Sequence, residues 1–168
     1  MILVKEEILR RLSQENPLIE NLIDVKLQVQ PAGVDLTLKK IFKFKAHGQI
    51  DFTNEERNLP ETEEIKFKNE WVHLEKGSYL VMFNEIVRIP NDLIMLVRPR
   101  SSLIRMGASI HASVWDPGYY GRSVTLLVVY NEDGIRIKKN ARIAQAIFIK
   151  LSRPTSHLYE GVYKGENI

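Results

Sequence analysis

The stretch Arg98-Pro99-Arg100-Ser101-Ser102-Leu103-Ile104-Arg105-Met106-Gly107 places three arginines and two serines within eight residues and ends at a glycine. It interrupts a part of the chain that otherwise carries apolar, strand-like residues. Guanidinium forks and serine hydroxyls bind polyanions through charge-assisted hydrogen bonds. One arginine here would be a solvated surface charge, but several beside paired serines favour a phosphate site.

A single carboxylate at a tight turn follows this stretch. Asp116-Pro117-Gly118-Tyr119 has the chemistry of a type II turn, because proline fixes φ at the second position and glycine supplies a positive φ at the third. Asp116 is either a turn residue that bonds its own backbone or a carboxylate that orients and deprotonates water. Tyr119 is either a core aromatic or a platform for a sugar or base. A phosphate site followed by such a carboxylate indicates hydrolysis of a nucleotide phosphate bond.

Length and composition narrow the possible classes. The 168 residues suffice for a single domain, residues 1–168, with a substantial core. The net charge of +3 is too mild to indicate a nucleic-acid partner. We expect no membrane association and a cytoplasmic location, because the chain has neither a long apolar run nor a signal-peptide pattern. Without cysteine there are no disulfides or thiolate metal sites, and the four histidines are not closely spaced.

Short strands between turns dominate the pattern after one helix. Val4, Ile8 and Leu12 recur at helical spacing, so a helix is predicted over 4–14, before Asn16-Pro17. The predicted strands are Val34–Leu38, Ser78–Ile89, Leu93–Val97, Val124–Tyr130 and Ala141–Leu151. We therefore predict an all-β (mainly β) fold, a distorted barrel or jelly roll with a short N-terminal helix.

Three segments receive more specific predictions. Val124–Tyr130 is almost continuously apolar, as expected of a strand buried on both faces. Asn131–Gly134 has the residues of a hairpin turn. The polar and acidic stretch 54–66 is predicted to be a surface loop.

Gln145 is unusual in the last strong strand. Odd-numbered residues from Ala141 to Leu151 share one parity, which is apolar apart from Gln145 and is predicted to face the core. A primary amide among apolar side chains costs free energy unless it is hydrogen-bonded. Gln145 therefore either bonds a neighbouring strand or meets a ligand in a pocket. Arg142 falls on the opposite face, where the simple interpretation is a solvated charge.

Four segments, in order along the chain, resemble the trimeric dUTPase and dCTP deaminase superfamily. They are Gln30–Leu36, Arg100–Gly107, Trp115–Gly121 and Asn140–Phe148, and Tyr159–Gly165 resembles the C-terminal segment of archaeal-type members. Each match alone is weak, but four in order over roughly two-thirds of a small domain are specific. The resemblance implies a distorted β-barrel homotrimer with an active site at each subunit interface.

The resemblance also implies roles at the phosphates. The residues expected to hold the triphosphate carry guanidinium, hydroxyl or amide groups: Arg100, Ser101, Ser102, Arg142 and Gln145. Arg105 would lie at the phosphate end of the neighbouring site. Asp35 would support the Mg²⁺–triphosphate region through water, since this hard ion is held mainly by phosphate oxygens and water.

Further roles follow for the nucleoside and the tail. Tyr119 would lie under the deoxyribose, and a hairpin just before Asp116 would read the base. Residues 152–168 would form a tail closing over an active site, with Tyr163 and Lys164 in place of the arginine and phenylalanine that stack on the base in typical dUTPases. The stretch 116–131 is about two residues longer than usual in the family, which predicts a bulge or longer hairpin.

The two branches of the superfamily differ in chemistry. A dUTPase uses water, positioned here by Asp116, to attack the α-phosphorus, while Mg²⁺ and arginines stabilise the developing charge. A deaminase needs a glutamate on the strand after the third motif, and residues 122–130 contain no carboxylate. We therefore expect a dUTP diphosphatase. The alternatives are a dCTP deaminase, monofunctional or bifunctional, and a non-catalytic nucleotide- or nucleic-acid-binding barrel.

Overall fold

β-Strands form the frame of the domain, which is seen over residues 1–168 in a computed structural model. The helices are α1 (Lys5–Leu12), α2 (Val25–Gln28) and α3 (Ser101–Arg105). The strands are β1 (Ile19–Glu20), β2 (Val29–Gln30), β3 (Gly33–Phe44), β4 (Thr62–Ile65), β5 (Trp71–Leu74), β6 (Gly77–Phe83), β7 (Ile86–Arg88), β8 (Leu93–Pro99), β9 (Ala108–His111), β10 (Tyr120–Gly121), β11 (Val124–Val129), β12 (Ile135–Lys138) and β13 (Arg142–Lys150). None of the helices has the length and apolar character needed to cross a membrane.

The largest sheet is antiparallel and has the strand order β8-β13-β3-β6-β11-β9, with β2 and β4 also paired to β3. A second sheet has the order β1-β7-β10, and β12 pairs with β5. The long strand β3 links the two halves of the largest sheet, because it pairs with β13 near its start and with β6 beyond Leu38. The predicted mainly-β, barrel-like architecture is confirmed.

The core lies between the inward faces of these sheets. On β3 the residues Val34, Leu36 and Leu38 are fully buried, and Phe148 on β13 is buried with them. The predicted N-terminal helix is present as α1, one to two residues shorter at each end, and it packs Ile8 against the core. Burying each such side chain contributes about 1.5–3 kcal/mol.

The prediction of a surface loop over 54–66 is wrong for the last part of that stretch. Thr62–Ile65 forms β4, which pairs with the C-terminal half of β3. The acidic residues that suggested a loop are matched by cations, since Glu63 lies 2.9 Å from Lys45 and Glu64 lies 3.4 Å from Lys40. Opposite charges on neighbouring strands stabilise a sheet, so an acidic strand is tolerated here.

The apolar strand β11 differs from its prediction. Only alternate residues, such as Leu127 and Val129, are buried within the chain, whereas Leu126 and Val128 are half-buried. Its pairing with β6 is regular over 124–129, so the extra length of this region introduces no bulge in β11. Residues 122–123 connect β10 in the smaller sheet to β11 in the larger one, so no hairpin joins these two strands.

The turn predicted at 131–134 is present, but it does not join a hairpin. Gly134 has φ +70° and donates its N–H to Asn131 O at 3.0 Å. The strands on either side do not pair with each other, since β11 pairs with β6 and β9 while β12 pairs with β5. The turn therefore directs the chain from the main sheet to the two-stranded ribbon.

The face predicted for Gln145 is wrong because β13 contains a bulge. Its register against β3 shifts between Arg142 and Ala144. Beyond the shift, the fully buried residues are Ala144, Ala146 and Phe148, while Gln145 is only half-buried. A one-residue shift moves all following side chains to the opposite face. The amide therefore lies outside the apolar core.

Candidate active site

A polar cavity of about 270 Å³ opens where β2, β3, β13 and the end of β8 meet α3. Its lining comes from four separate parts of the sequence and contains no apolar side chain apart from a proline: Gln30, Asp35, Pro99, Arg100, Ser101 and Gln145. Guanidinium, hydroxyl and amide groups around one space provide donors in several directions, which suits an anion with many oxygens.

Strand register explains why these side chains meet. Gln145 on β13 lies directly opposite Asp35 on β3 and opposite Arg98 on β8. Residues directly opposite on antiparallel strands project to the same face. Gly33 permits this approach, because a Cβ there would lie 2.4 Å from Ala146 O and 3.1 Å from Gln145 Cγ.

The carboxylate of Asp35 organises two arginines at this cavity. Its side chain is 2% exposed, and Oδ2 lies 3.1 Å from Arg100 Nε and 3.2 Å from Arg142 Nη1. Burial raises the pKa of Asp35, and the two guanidinium groups oppose that rise. Arg142 also donates to Leu27 O at 2.7 Å. Each guanidinium has five N–H donors, so both keep donors for an anion. Arg142 is thus not the solvated surface charge of the simple interpretation.

The arginine-serine stretch forms α3 at the edge of the cavity. Leu103 is 2% exposed and anchors the helix to the core, whereas Ser101, Ser102 and Arg105 are exposed. Among them only Ser101 lines the cavity. Ser102 and Arg105 therefore project away from this chain's own polar cavity.

A second cavity of about 440 Å³ is mainly apolar and contains Tyr119. The Tyr119 hydroxyl lies 2.8 Å from Ser123 Oγ and donates to Glu166 Oε1 at 2.8 Å. Trp115 Nε1 donates to the same Ser123 Oγ at 2.5 Å. Burial raises the pKa of both Tyr119 and Glu166. Tyr119, at 5% exposed, is therefore a core aromatic that also borders a cavity.

The C-terminal tail docks on its own chain beside this second cavity. Gly165 N donates to Tyr120 O at 2.7 Å, and Arg122 N donates to Glu166 O at 2.9 Å. Tyr163 lines the second cavity with the guanidinium of Arg57 5.6 Å from its ring centroid. Lys164 is exposed, and no tail residue lines the polar cavity.

Asp116 begins the predicted type II turn. Tyr119 N donates to Asp116 O at 3.1 Å, and Gly118 has φ +89°. The carboxylate is exposed and makes no hydrogen bond to its own turn. The expected hairpin just before it is absent, because residues 112–114 are irregular between β9 and the bridge from Trp115.

Asp116 is distant from the polar cavity of the same chain. The preceding residue, Trp115, pairs with Met95 in β8. Arg100 lies five residues further along, which at about 3.3 Å per residue is roughly 16 Å. One chain therefore presents the phosphate-binding groups and the candidate water-binding carboxylate in two different places.

Comparison with known proteins identifies the family of this arrangement. A family profile described as dCTP deaminase-like matches residues 2–151. The chain belongs to the dCTP deaminase-like family. It is 48% identical over 168 residues to a probable deoxyuridine 5'-triphosphate nucleotidohydrolase of Archaeoglobus fulgidus, covering 100% of this chain and 99% of that protein. It is 45% identical over 140 residues to the deoxyuridine 5'-triphosphate nucleotidohydrolase of Methanocaldococcus jannaschii, covering 82% and 88% of the two chains.

A solved member of the family has the same fold. The crystal structure of 2'-deoxycytidine 5'-triphosphate deaminase from Agrobacterium tumefaciens superposes with a TM-score of 0.64 at 24% identity over 88% of this chain. The present chain spans about half of that deaminase chain, 47% of its length. In this fold the antiparallel sheet brings three of the four recognised segments to one cavity, while Trp115–Gly121 lies apart.

Sequence reasoning missed a polar cluster behind the cavity of this family member. Glu85 is 0% exposed and bonds to Thr37 and Gln28, which are each 2% exposed. The available signal was the glutamate itself, which lies inside the predicted strand Ser78–Ile89.

The site offers little to a metal ion on its own. No three His, Cys, Asp or Glu side chains are grouped so that they could hold one. Asp35 is the only carboxylate that lines the polar cavity. Such a donor set fits a hard cation that arrives with a polyphosphate and takes most of its ligands from phosphate and water.

Proposed function

We propose that the protein is a dUTP diphosphatase that hydrolyses dUTP to dUMP and pyrophosphate by attack of water on the α-phosphorus. The observation that carries the proposal is the polar cavity, where Arg100, Ser101 and Gln145 converge beside Asp35. The names of two relatives support dUTP as the substrate: one is 48% identical over the full length of this chain, and the other is 45% identical over 82% of it. β11 carries no carboxylate for deamination.

The cavity would hold the triphosphate. Arg100 and Arg142 are oriented by Asp35 and by backbone carbonyls, so little side-chain freedom is lost when an anion binds. Each charge-assisted hydrogen bond contributes about 1.5–3 kcal/mol. About four of them reach the roughly 8 kcal/mol of a micromolar complex. Ser101 and Gln145 supply neutral donors at the same cavity.

Asp116 would position and deprotonate the attacking water. Its carboxylate is exposed and free of partners in its own chain, so it can accept a hydrogen bond from water. The type II turn, closed by the Tyr119 N to Asp116 O bond, fixes the backbone from which it projects. Tyr119 lies three residues on and borders the second cavity, where we place the deoxyribose.

The separation of the two halves supports a site that is built from two copies of the chain. Asp116 lies roughly 16 Å along the sheet from Arg100, which is too far for one bound nucleotide phosphate to meet both. Apolar side chains are exposed near both halves: Ile104 at 55%, Met106 at 42% and Val114 at 49%. We infer a homotrimer in which each site joins the polar cavity of one subunit to Asp116 of another, with Arg105 reaching a neighbouring site.

Mg²⁺ would act as a cofactor held mainly by the triphosphate. Asp35 would support it through water, and its bond to two arginines keeps this carboxylate in place. The ion would supply charge neutralisation at the phosphates. Arg100, Ser101 and Gln145 would contribute hydrogen bonds to the remaining phosphate oxygens.

The closing role of the C-terminal tail and the cellular location of the protein stay predictions. Tyr163 lies at the second cavity, which supports a role of the tail in closing the nucleoside end, whereas Lys164 is exposed and lines neither cavity. A cytoplasmic location, without a nucleic-acid or membrane partner, is predicted from the sequence alone.

The decisive experiment incubates the purified chain and Mg²⁺ with dUTP and dCTP separately and follows pyrophosphate and ammonia. Pyrophosphate from dUTP without ammonia from dCTP is the expected result. Ammonia from dCTP would contradict the assignment and indicate a deaminase. Salt-dependent binding to DNA without turnover would indicate a binding barrel.

Mixing two inactive variants tests the shared site. Arg100→Ala damages the phosphate half and Asp116→Asn damages the water half. In a random one-to-one mixture refolded together, about a quarter of the sites combine two intact halves, so about a quarter of the wild-type activity should return. A mixture that stays inactive would exclude sites made from two chains.

A further inference from the structure

A fully buried carboxylate behind the polar cavity has no cationic partner. Glu85 lies between β6 and β7 and is 0% exposed. Its Oε2 accepts the backbone N–H of Thr37 at 2.9 Å, and its Oε1 accepts from Thr37 Oγ1 at 2.6 Å and Gln28 Nε2 at 2.7 Å. Burial raises its pKa. Burying a carboxylate without a counter-charge is costly, and hydrogen bonds offset only part of that cost.

Gln28 connects this carboxylate to the backbone beneath the cavity. Its Nε2 donates both to Glu85 and to Asp35 O, the latter at 2.9 Å. Its Oε1 accepts from Ile23 N at 2.7 Å and from Asp24 N at 3.0 Å. Both ends of the amide are therefore occupied, and its orientation is fixed because only the oxygen can accept from the two backbone N–H groups.

The same contacts also fix the position of the second hydrogen-bond acceptor of Arg142, the carbonyl of Leu27. Gln28 is the last residue of α2, and the carbonyl of Leu27 beside it accepts from Arg142 Nη1 at 2.7 Å. Arg142 is thus bound at Leu27 O and at Asp35 Oδ2. Both acceptors belong to segments that the Glu85–Gln28 pair ties together.

We propose that Glu85 is a positioning residue for the triphosphate site. Through Gln28 it fixes Asp35 and the end of α2, and these in turn aim Arg100 and Arg142 at the phosphates. Glu85 itself does not line the polar cavity. This inference rests on the proposed function, because it assigns the positioned arginines to the triphosphate of dUTP.

The test compares Glu85→Gln with the wild-type chain. The glutamine keeps the shape, but its NH₂ must face either Thr37 N–H or Gln28 Nε2, and both of these are donors. We expect a dUTP analogue with an imido bridge between its α- and β-phosphates to bind about tenfold more weakly. KM should rise in parallel, while kcat falls by less than about threefold. Gln28→Met removes the link directly, should act in the same direction, and carries the test if Glu85→Gln does not fold.

Leu74→Ala serves as the matched control. Leu74 is 1% exposed at the end of β5, away from the cavity, so its truncation lowers stability without touching the Glu85 cluster. It should lower Tm and leave analogue affinity unchanged. Folded Glu85→Gln or Gln28→Met chains with wild-type analogue affinity would overturn the positioning role alone. A wild-type chain that neither binds the analogue nor hydrolyses dUTP would overturn the proposed function and this inference together.

Discussion

Replacing Asp35 by asparagine should separate activity from stability. The substitution keeps the side-chain shape and removes the charge that holds two guanidinium groups at 3.1 and 3.2 Å. A hydrogen bond between charged groups contributes about 1.5–3 kcal/mol and a neutral one about 0.5–1.5 kcal/mol, so each contact weakens by about 1 kcal/mol. The side chains of Arg100 and Arg142 are 29% and 34% exposed, so solvent screens both contacts. We therefore take the low value for each, and the total loss of interaction free energy between residue 35 and the two arginines is about 2 kcal/mol.

The stability of the domain should change much less than this loss. Asp35 is 2% exposed, and burying a neutral amide costs less than burying a carboxylate. The two effects oppose each other, so we expect the free energy of unfolding to change by less than about 1 kcal/mol, or roughly 2–4 °C in Tm. The arginines nevertheless lose their anchor, and kcat/KM for dUTP should fall about tenfold to a hundredfold.

Pyrophosphate release at several dUTP concentrations gives kcat/KM, and calorimetry gives Tm. Asp92→Asn is the matched control, since Asp92 also accepts from an arginine, Arg11 Nη2 at 2.5 Å, but does not line the polar cavity. It should retain wild-type kcat/KM. Unchanged kcat/KM in Asp35→Asn, or a loss no larger than its unfolded fraction explains, would refute the reasoning.

Three further outcomes are expected. Gly33→Ala should cost about 1–3 kcal/mol of stability, because its Cβ would lie 2.4 Å from Ala146 O; an unchanged Tm would contradict this. Burial raises the pKa of Glu166, so tail docking should be strongest at acid pH and weaken as pH rises through that raised pKa. Hydrogen exchange in the tail should show this trend and lose it in Glu166→Gln, whereas a flat wild-type profile would exclude the mechanism. Deleting 159–168 should lower dUTP turnover while the barrel stays folded, and an unaffected rate would count against tail closure.

The residues that line the polar cavity were predictable from sequence, but the strand faces on which they lie were not. The arginine-serine stretch and the segments around Asp35 and Gln145 contain the residues that the structure brings to one polar cavity, although Ser102 and Arg105 do not line it. The parity of Gln145 was wrong because a bulge depends on how β13 pairs with β3, and no residue of β13 signals it alone. Strand periodicity assumes regular pairing, so a single irregularity reverses its conclusion.

Long-range contacts set the other limit on what the sequence can predict. Glu85 accepts from Thr37, which is 48 residues earlier in the chain, so no local pattern identifies the pair. The distance between Asp116 and Arg100 likewise depends on the bridge from Trp115 to Met95. In the sequence Asp116 follows Arg105 by only eleven residues, whereas in the sheet it lies near Met95, away from Arg100.

The bulge in β13 makes the polar cavity depend on chain length as well as on residue identity. With the irregularity between Arg142 and Ala144, both Arg142 and Gln145 reach the face of Asp35 although they are an odd number of positions apart. Regular pairing of the same residues would place Arg142 and Gln145 on opposite faces, with one of them turned inward. Deletion of Ile143 would leave the two groups on one face, but it would remove a core side chain that is 2% exposed. Designs based on this barrel therefore need to preserve Ile143 and the bulge around it before they optimise any side chain.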